Sequence, residues 1–141
     1  MVALKKSVTT VICMVLVISL CTNNVQAAVT SVSKPTSVWD WSQGYDDLNG
    51  AADYQSLYSD YLYTDVSAMS IYMENLSSKY ELSFAVYSLE PWYTSDIRVF
   101  YATVPVGGSI GRMISGLYSG KEYYVIVFAP CKFTGHVSKI Y

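Results

Sequence analysis

The sequence predicts an all-β protein: an antiparallel β-sandwich of jelly-roll type with about seven to eight strands, following a cleaved signal peptide. Three observations point there. Apolar and polar residues alternate with period two in several short segments. Groups of Gly, Pro, Asn and Ser separate these segments at intervals of 8 to 15 residues, and no strand-helix-strand alternation is visible. A single open sheet would leave one apolar face wet, so the strands are expected to pack as two layers.

The first element is residues 1–27. Lys5 and Lys6 form a positive start, Val11 to Leu20 an apolar run of ten, and Val25-Gln26-Ala27 a cleavage site, which together read as a secretory signal. Ten apolar residues are half of what a membrane-spanning helix needs, which disfavours a retained anchor. Cys21 raises the alternative of lipidation, against which Leu20 stands where a small residue is usual. The chain is thus expected outside the cell, with no membrane span after cleavage.

Residues 28–57 read as an N-terminal leader. Val29 to Ser37 lacks a clear period, and Trp39, Trp41, Tyr45 and Tyr54 then interleave with Asp40, Asp46, Asp47 and Asp53. Asn49 to Tyr58 suggests a short helix with Asn49 as its N-cap, although Gly50 weakens it. The sandwich itself is expected over residues 58–141, with strands starting near Asp60, Ala68, Glu81, Asp96, Ser109, Lys121 and His136. Met69, Ile71 and Met73 alternate with Ser70, Tyr72 and Glu74; Leu82, Phe84 and Val86 alternate with Ser83, Ala85 and Tyr87. Tyr123 to Phe128 is apolar on both faces and reads as a central strand covered on each side or by its own aromatic neighbours. Turns are expected at Asn75 to Lys79, Glu90-Pro91, Pro105 to Gly108, Ser115-Gly116, Ser119-Gly120, Pro130 and Thr134-Gly135.

Charge and cysteine content narrow the function. After residue 27 the chain has seven Lys/Arg against all eleven Asp/Glu, a net charge of −4, which lacks the basic footprint of a nucleic-acid binder. Cys13 and Cys21 leave with the signal, so Cys131 has no partner for an internal disulfide and reads as a small buried hydrophobe, with an intermolecular bridge or a nucleophile as the sharper alternatives.

The run Ser59-Asp60-Tyr61-Leu62-Tyr63-Thr64-Asp65-Val66, the strand Ala68 to Leu76, Leu82 to Ser88, and Leu117-Tyr118-Ser119-Gly120-Lys121-Glu122-Tyr123-Tyr124-Val125-Ile126-Val127 together resemble the bacterial pre-peptidase C-terminal domain over Tyr58 to Tyr141. Gly120, Tyr123, Tyr124, Gly135 and Tyr141 stand in that family's last conserved places. The resemblance implies an extracellular sandwich, with calcium and with collagen or polysaccharide binding in some relatives. Leu82 to Ser88 lacks the family's Asp residues.

Reactive groups are scarce. His136, the one histidine, lies five residues from Cys131, with no third orienting group and no nucleophile elbow. Glu74, Glu81, Glu90 and Glu122 fall at turns and strand ends, where solvated acids are ordinary. Asp46-Asp47-Leu48-Asn49-Gly50 fails the spacing of a calcium EF-loop; a looser calcium site on Asp46, Asp47 or Asp53, and with it a weak calcium dependence, stays open. No His/Cys cluster offers a transition-metal site, no cofactor is implied, and Gly107 to Arg112 lacks the strand-loop-helix context of a phosphate loop. The Asn75-Leu76-Ser77 sequon matters only in a glycosylating host.

The compositional outlier is aromatic. All 14 Tyr, 3 Trp and 4 Phe lie after residue 27. Many serve as cross-strand pairs, but Trp39, Trp41, Trp92 and Tyr93 fall outside the expected strands. These four are the candidate binding residues, because an aromatic ring with a polar handle suits wet contacts with protein or sugar. The expectation is a small, secreted, non-catalytic binding module for an extracellular protein or polysaccharide. The alternatives are a secreted hydrolase or hydrolase inhibitor, and a structural component of a cell surface or matrix.

Overall fold

A computed structural model describes residues 30–141; the export signal expected over residues 1–27 lies outside the described residues. Two antiparallel sheets pack face to face. The first has the strand order β1 (Thr30–Ser31), β4 (Leu57–Ser59), β10 (Glu122–Phe128), β7 (Leu82–Leu89), β8 (Ile97–Val104). The second has the order β3 (Asp46–Ala52), β11 (Cys131–Lys139), β6 (Ala68–Asn75), β9 (Ser109–Ser115). A short parallel pair, β2 (Ser37–Val38) with β5 (Tyr61–Leu62), stands beside them, and residues Trp41–Gln43 form one 3-10 turn.

The period-two segments become the facing layers. Met69, Ile71 and Met73 of β6 meet Leu82, Phe84 and Val86 of β7 in one core with Leu48, Tyr63, Tyr123, Val125, Val127, Phe133 and Val137, all essentially without solvent contact. Burying one such aliphatic or aromatic side chain contributes about 1.5–3 kcal/mol. Strand β10 is central and apolar on both faces. Tyr123, Val125 and Val127 point inward, whereas Tyr124 on the outer face is 3% exposed because Tyr58 and Tyr87 flank it with ring centroids at 5.9 and 5.8 Å. Phe128 lies 6.4 Å from Tyr101 on the same face.

Two stretches differ from the sequence expectation. Thr134-Gly135 is not a turn: β11 starts at Cys131 and carries both residues through its middle, pairing with β3 on one side and β6 on the other. A Cβ on Gly135 would come within 2.2 Å of the Tyr72 carbonyl oxygen, so the glycine is there to let two strands approach. Asn49 caps no helix. It sits inside β3, opposite Thr134, and the sandwich takes in this strand upstream of Tyr58. The inward row of β3 is Asp46, Leu48, Gly50 and Ala52, too polar and too small to register as an apolar stripe in the sequence.

Asp46 is a buried acid at the end of that row, 2% exposed, and its Oδ2 accepts a hydrogen bond of 2.7 Å from the Tyr63 hydroxyl. Burial pushes its carboxyl up to about 6 against the opposing effect of that hydrogen bond, with Asp60 and Asp47 adding to the rise. Asn75 is a second buried polar hub. Its Nδ2 donates to the carbonyls of Tyr80, Val104 and Pro105 at 2.8, 3.1 and 3.2 Å, and its Oδ1 accepts from the Ser77 N–H at 2.9 Å. With the amide 1% exposed and engaged in this way, the sequon is closed to modification in the folded chain.

Candidate functional site

The segment between β7 and β8 builds an exposed pair of adjacent aromatic side chains. Pro91 fixes its backbone torsion at the start of a tight turn, which the Thr94 N–H closes on the Pro91 carbonyl at 2.9 Å, with the Thr94 hydroxyl on the same oxygen at 3.1 Å. The two residues at the tip, Trp92 and Tyr93, are 94% and 71% exposed. Their rings meet edge to face, centroids 5.7 Å apart and planes at 88°.

The base of this loop is held by two carboxylates. Asp96 accepts from the Glu90 N–H at 2.9 Å through Oδ1, and through Oδ2 from the Tyr124 hydroxyl at 2.6 Å and from the Lys34 ammonium. Glu90 Oε1 accepts from Ser88 Oγ at 3.0 Å and Lys121 Nζ at 2.6 Å. Burial, the largest influence on Asp96, pushes its carboxyl up, but the Glu90 amide, Lys34 and the Tyr124 hydroxyl together hold it below the usual range. Lys121 and Ser88 do the same for Glu90. Desolvation and the Asp96 hydrogen bond raise the Tyr124 phenol far above its ordinary value, so it stays a donor. The acids and bases at the base neutralise one another and the tip from Pro91 to Ser95 carries no charge. Lys121 also ties in the β9–β10 turn, whose Tyr118 is 71% exposed.

Trp39 and Trp41 belong to a different setting. Both are half-buried against the core. The Trp39 indole N–H donates to the Gly44 carbonyl at 3.1 Å and its ring lies 5.0 Å from Tyr61; the Trp41 indole N–H donates to the Thr64 carbonyl at 2.9 Å and its ring lies 5.6 Å from Tyr63. The four aromatic residues singled out from the sequence thus divide into a free pair, Trp92 and Tyr93, and a pair whose polar handles are engaged within the chain. Two surface hollows, of about 330 and 220 Å³, are lined by none of the four.

Other candidates separate. Cys131 and His136 share β11 five residues apart, so the thiol faces the core while the imidazole faces out between Tyr45 and Tyr72, at 5.3 and 5.4 Å. They form no nucleophile-base pair. Burial raises the Cys131 thiol, the opposite of activation. Asp46 and Asp47, adjacent on β3, project to opposite faces, and among the described residues no three His, Cys, Asp or Glu side chains come together as a metal site.

Fold and loop define a small all-β sandwich that presents a braced, uncharged aromatic tip. No protein-family model, no curated protein and no solved structure matches the chain.

Proposed function

We propose that this is a secreted, non-catalytic binding module that captures an extracellular polysaccharide or protein surface with Trp92 and Tyr93. The observation that carries the reading is a tryptophan 94% exposed on a loop whose two ends are fixed by Asp96 and Glu90. An indole left in water forgoes about 1.5–3 kcal/mol of burial, and bracing the loop removes much of the ordering cost that binding would otherwise carry. Two rings at right angles offer a flat face for a sugar ring or an apolar side chain, with the indole N–H and phenol O–H free to hydrogen-bond at its rim. The resemblance of residues 58–141 to pre-peptidase C-terminal domains points the same way, towards extracellular attachment.

The test is a panel of immobilised polysaccharides and matrix proteins probed with the protein and with Trp92→Ala and Tyr93→Ala, beside thermal melts. The reading expects at least about tenfold weaker capture, as for an aromatic hot spot, with the melting temperature nearly unchanged. Capture unaffected by both substitutions rejects it, and so does a large fall in melting temperature, which would assign the rings to the fold.

A further inference from the structure

The hollow of about 330 Å³ lies where the segment between β1 and β2 passes the bend between β4 and β5. The first segment lines it with Ser31, Ser33, Thr36 and Ser37, the bend with Asp60 and Tyr61, and Lys34 and Pro35 complete the lining. Both segments are fixed in place. Ser37 and Val38 pair with Tyr61 and Leu62, Pro35 is buried, and the Lys34 ammonium is held by Asp96 at the base of the aromatic loop. Trp39 backs the Tyr61 ring at 5.0 Å. The volume falls at the lower end of the range of about 300–1,000 Å³ for small-ligand sites, and walls held in this way carry little ordering cost on binding.

The polar groups of the lining are only partly used by the fold. The Ser31 and Ser33 hydroxyls meet each other at 3.1 Å, but the side chains of Thr36, Asp60 and Tyr61 have no hydrogen-bond partner among the described residues. Asp60 is half-buried, and desolvation raises its carboxyl above the usual range with no donor or cation of the chain to offset it. A carboxylate so placed gains most from a ligand that brings two donors to its two oxygens. Lys34 is committed to Asp96, so the hollow offers no free cation to an acidic ligand.

We infer that this hollow holds one sugar unit of an uncharged polysaccharide: Asp60 accepts from two neighbouring ring hydroxyls, Thr36 and the serines exchange hydrogen bonds with others, and the Tyr61 ring lies against the apolar face of the sugar. The inference rests on the polysaccharide branch of the function proposed above and narrows it. Hydroxyl side chains both donate and accept, as sugar hydroxyls do, and they dominate this lining. A single lysine side chain spans from the hollow to the base of the aromatic loop, which places the hollow and the tip within reach of one polymer chain.

Amide NMR of the protein titrated with short, soluble, uncharged oligosaccharides of glucose, mannose and N-acetylglucosamine, at low and high salt, tests this. Saturable shifts centred on residues 31–37 and 60–61 are expected, insensitive to salt because no ion pair forms. Asp60→Ala should weaken the affinity by about tenfold or more and Thr36→Val by about fivefold, and neither should lower the melting temperature. Absence of shifts at these residues with all of these sugars overturns the proposal. So does binding that high salt abolishes, which would place a cation on Asp60. Shifts confined to Trp92 and Tyr93 overturn it while leaving the tip as the binding site, whereas shifts confined to the hollow support it and count against the tip.

Discussion

Replacing Asp46 with Asn should change the dependence of stability on pH by an amount that follows from its burial. Folding raises the Asp46 carboxyl from 3.8 to about 6, so the folded chain holds that proton more tightly than the unfolded chain. The stabilisation this gives is present in full below about pH 3.8 and is lost as pH rises through 6. A rise of about two units corresponds to roughly 3 kcal/mol. In Asp46→Asn the amide oxygen still accepts from the Tyr63 hydroxyl but nothing titrates, so any fixed cost of the amide shifts the whole curve without changing its slope. Asp96 and Glu90, whose carboxyls are held low, act in the opposite direction in both proteins and cancel in the difference. The assay is thermal or urea unfolding of both proteins from pH 3.5 to 7.5. Between these limits the variant should gain about 3 kcal/mol on the wild type, on the order of 10 °C in melting temperature for a domain of this size. Curves that stay parallel would refute the reasoning, since they would mean that Asp46 titrates as it does in the unfolded chain.

Three further substitutions probe the frame. Gly135→Ala drives a methyl into the Tyr72 carbonyl and the Met73 sulfur, 2.2 and 2.7 Å away, and should cost several kcal/mol or prevent folding, read by circular dichroism and urea titration. Asn75→Ala removes the donor shared by the Tyr80, Val104 and Pro105 carbonyls, of which the Val104 contact is buried, and should cost about 1–3 kcal/mol in the same titration. Asp96→Ala releases the Glu90 amide, Lys34 and Tyr124 together; faster amide exchange over residues 90–96 is expected, and unchanged protection there would show that the turn braces itself. Cys131 is 6% exposed with a raised thiol, so native protein should react with a thiol reagent far more slowly than urea-unfolded protein and run as a monomer on a non-reducing gel.

The sheets were largely legible because their signal is local. In β6, β7 and β10 apolar side chains recur at every second position, and burial follows that period. Strand β3 gave no such signal: its inward positions hold Asp46, Leu48, Gly50 and Ala52, and the acid is tolerated only because Tyr63, 17 residues away, meets it in the core. Gly135 read as a turn for a related reason. Its neighbours in sequence show nothing unusual, and the close approach of Tyr72 that requires a glycine is a contact across strands.

The aromatic tip shows where local reading stops. Pro91-Trp92-Tyr93 is recognisable in sequence as an aromatic loop, but the groups that brace it are not. Asp96 is met by Lys34 from 62 residues away and by Tyr124 from 28, and Glu90 by Lys121 from 31. Glu90 therefore reads as an ordinary solvated acid when it is an anchor. The same long-range pairing distinguishes Trp92 from Trp39 and Trp41, which look equivalent in composition. The carbonyls of Gly44 and Thr64 engage the latter two indoles, whereas Trp92 is almost fully exposed above the Asp96 and Glu90 contacts. If the proposed binding role holds, loosening the brace and truncating the ring should weaken capture by different routes: Trp92→Ala by loss of contact, Asp96→Ala by loss of order in a ring that is still present.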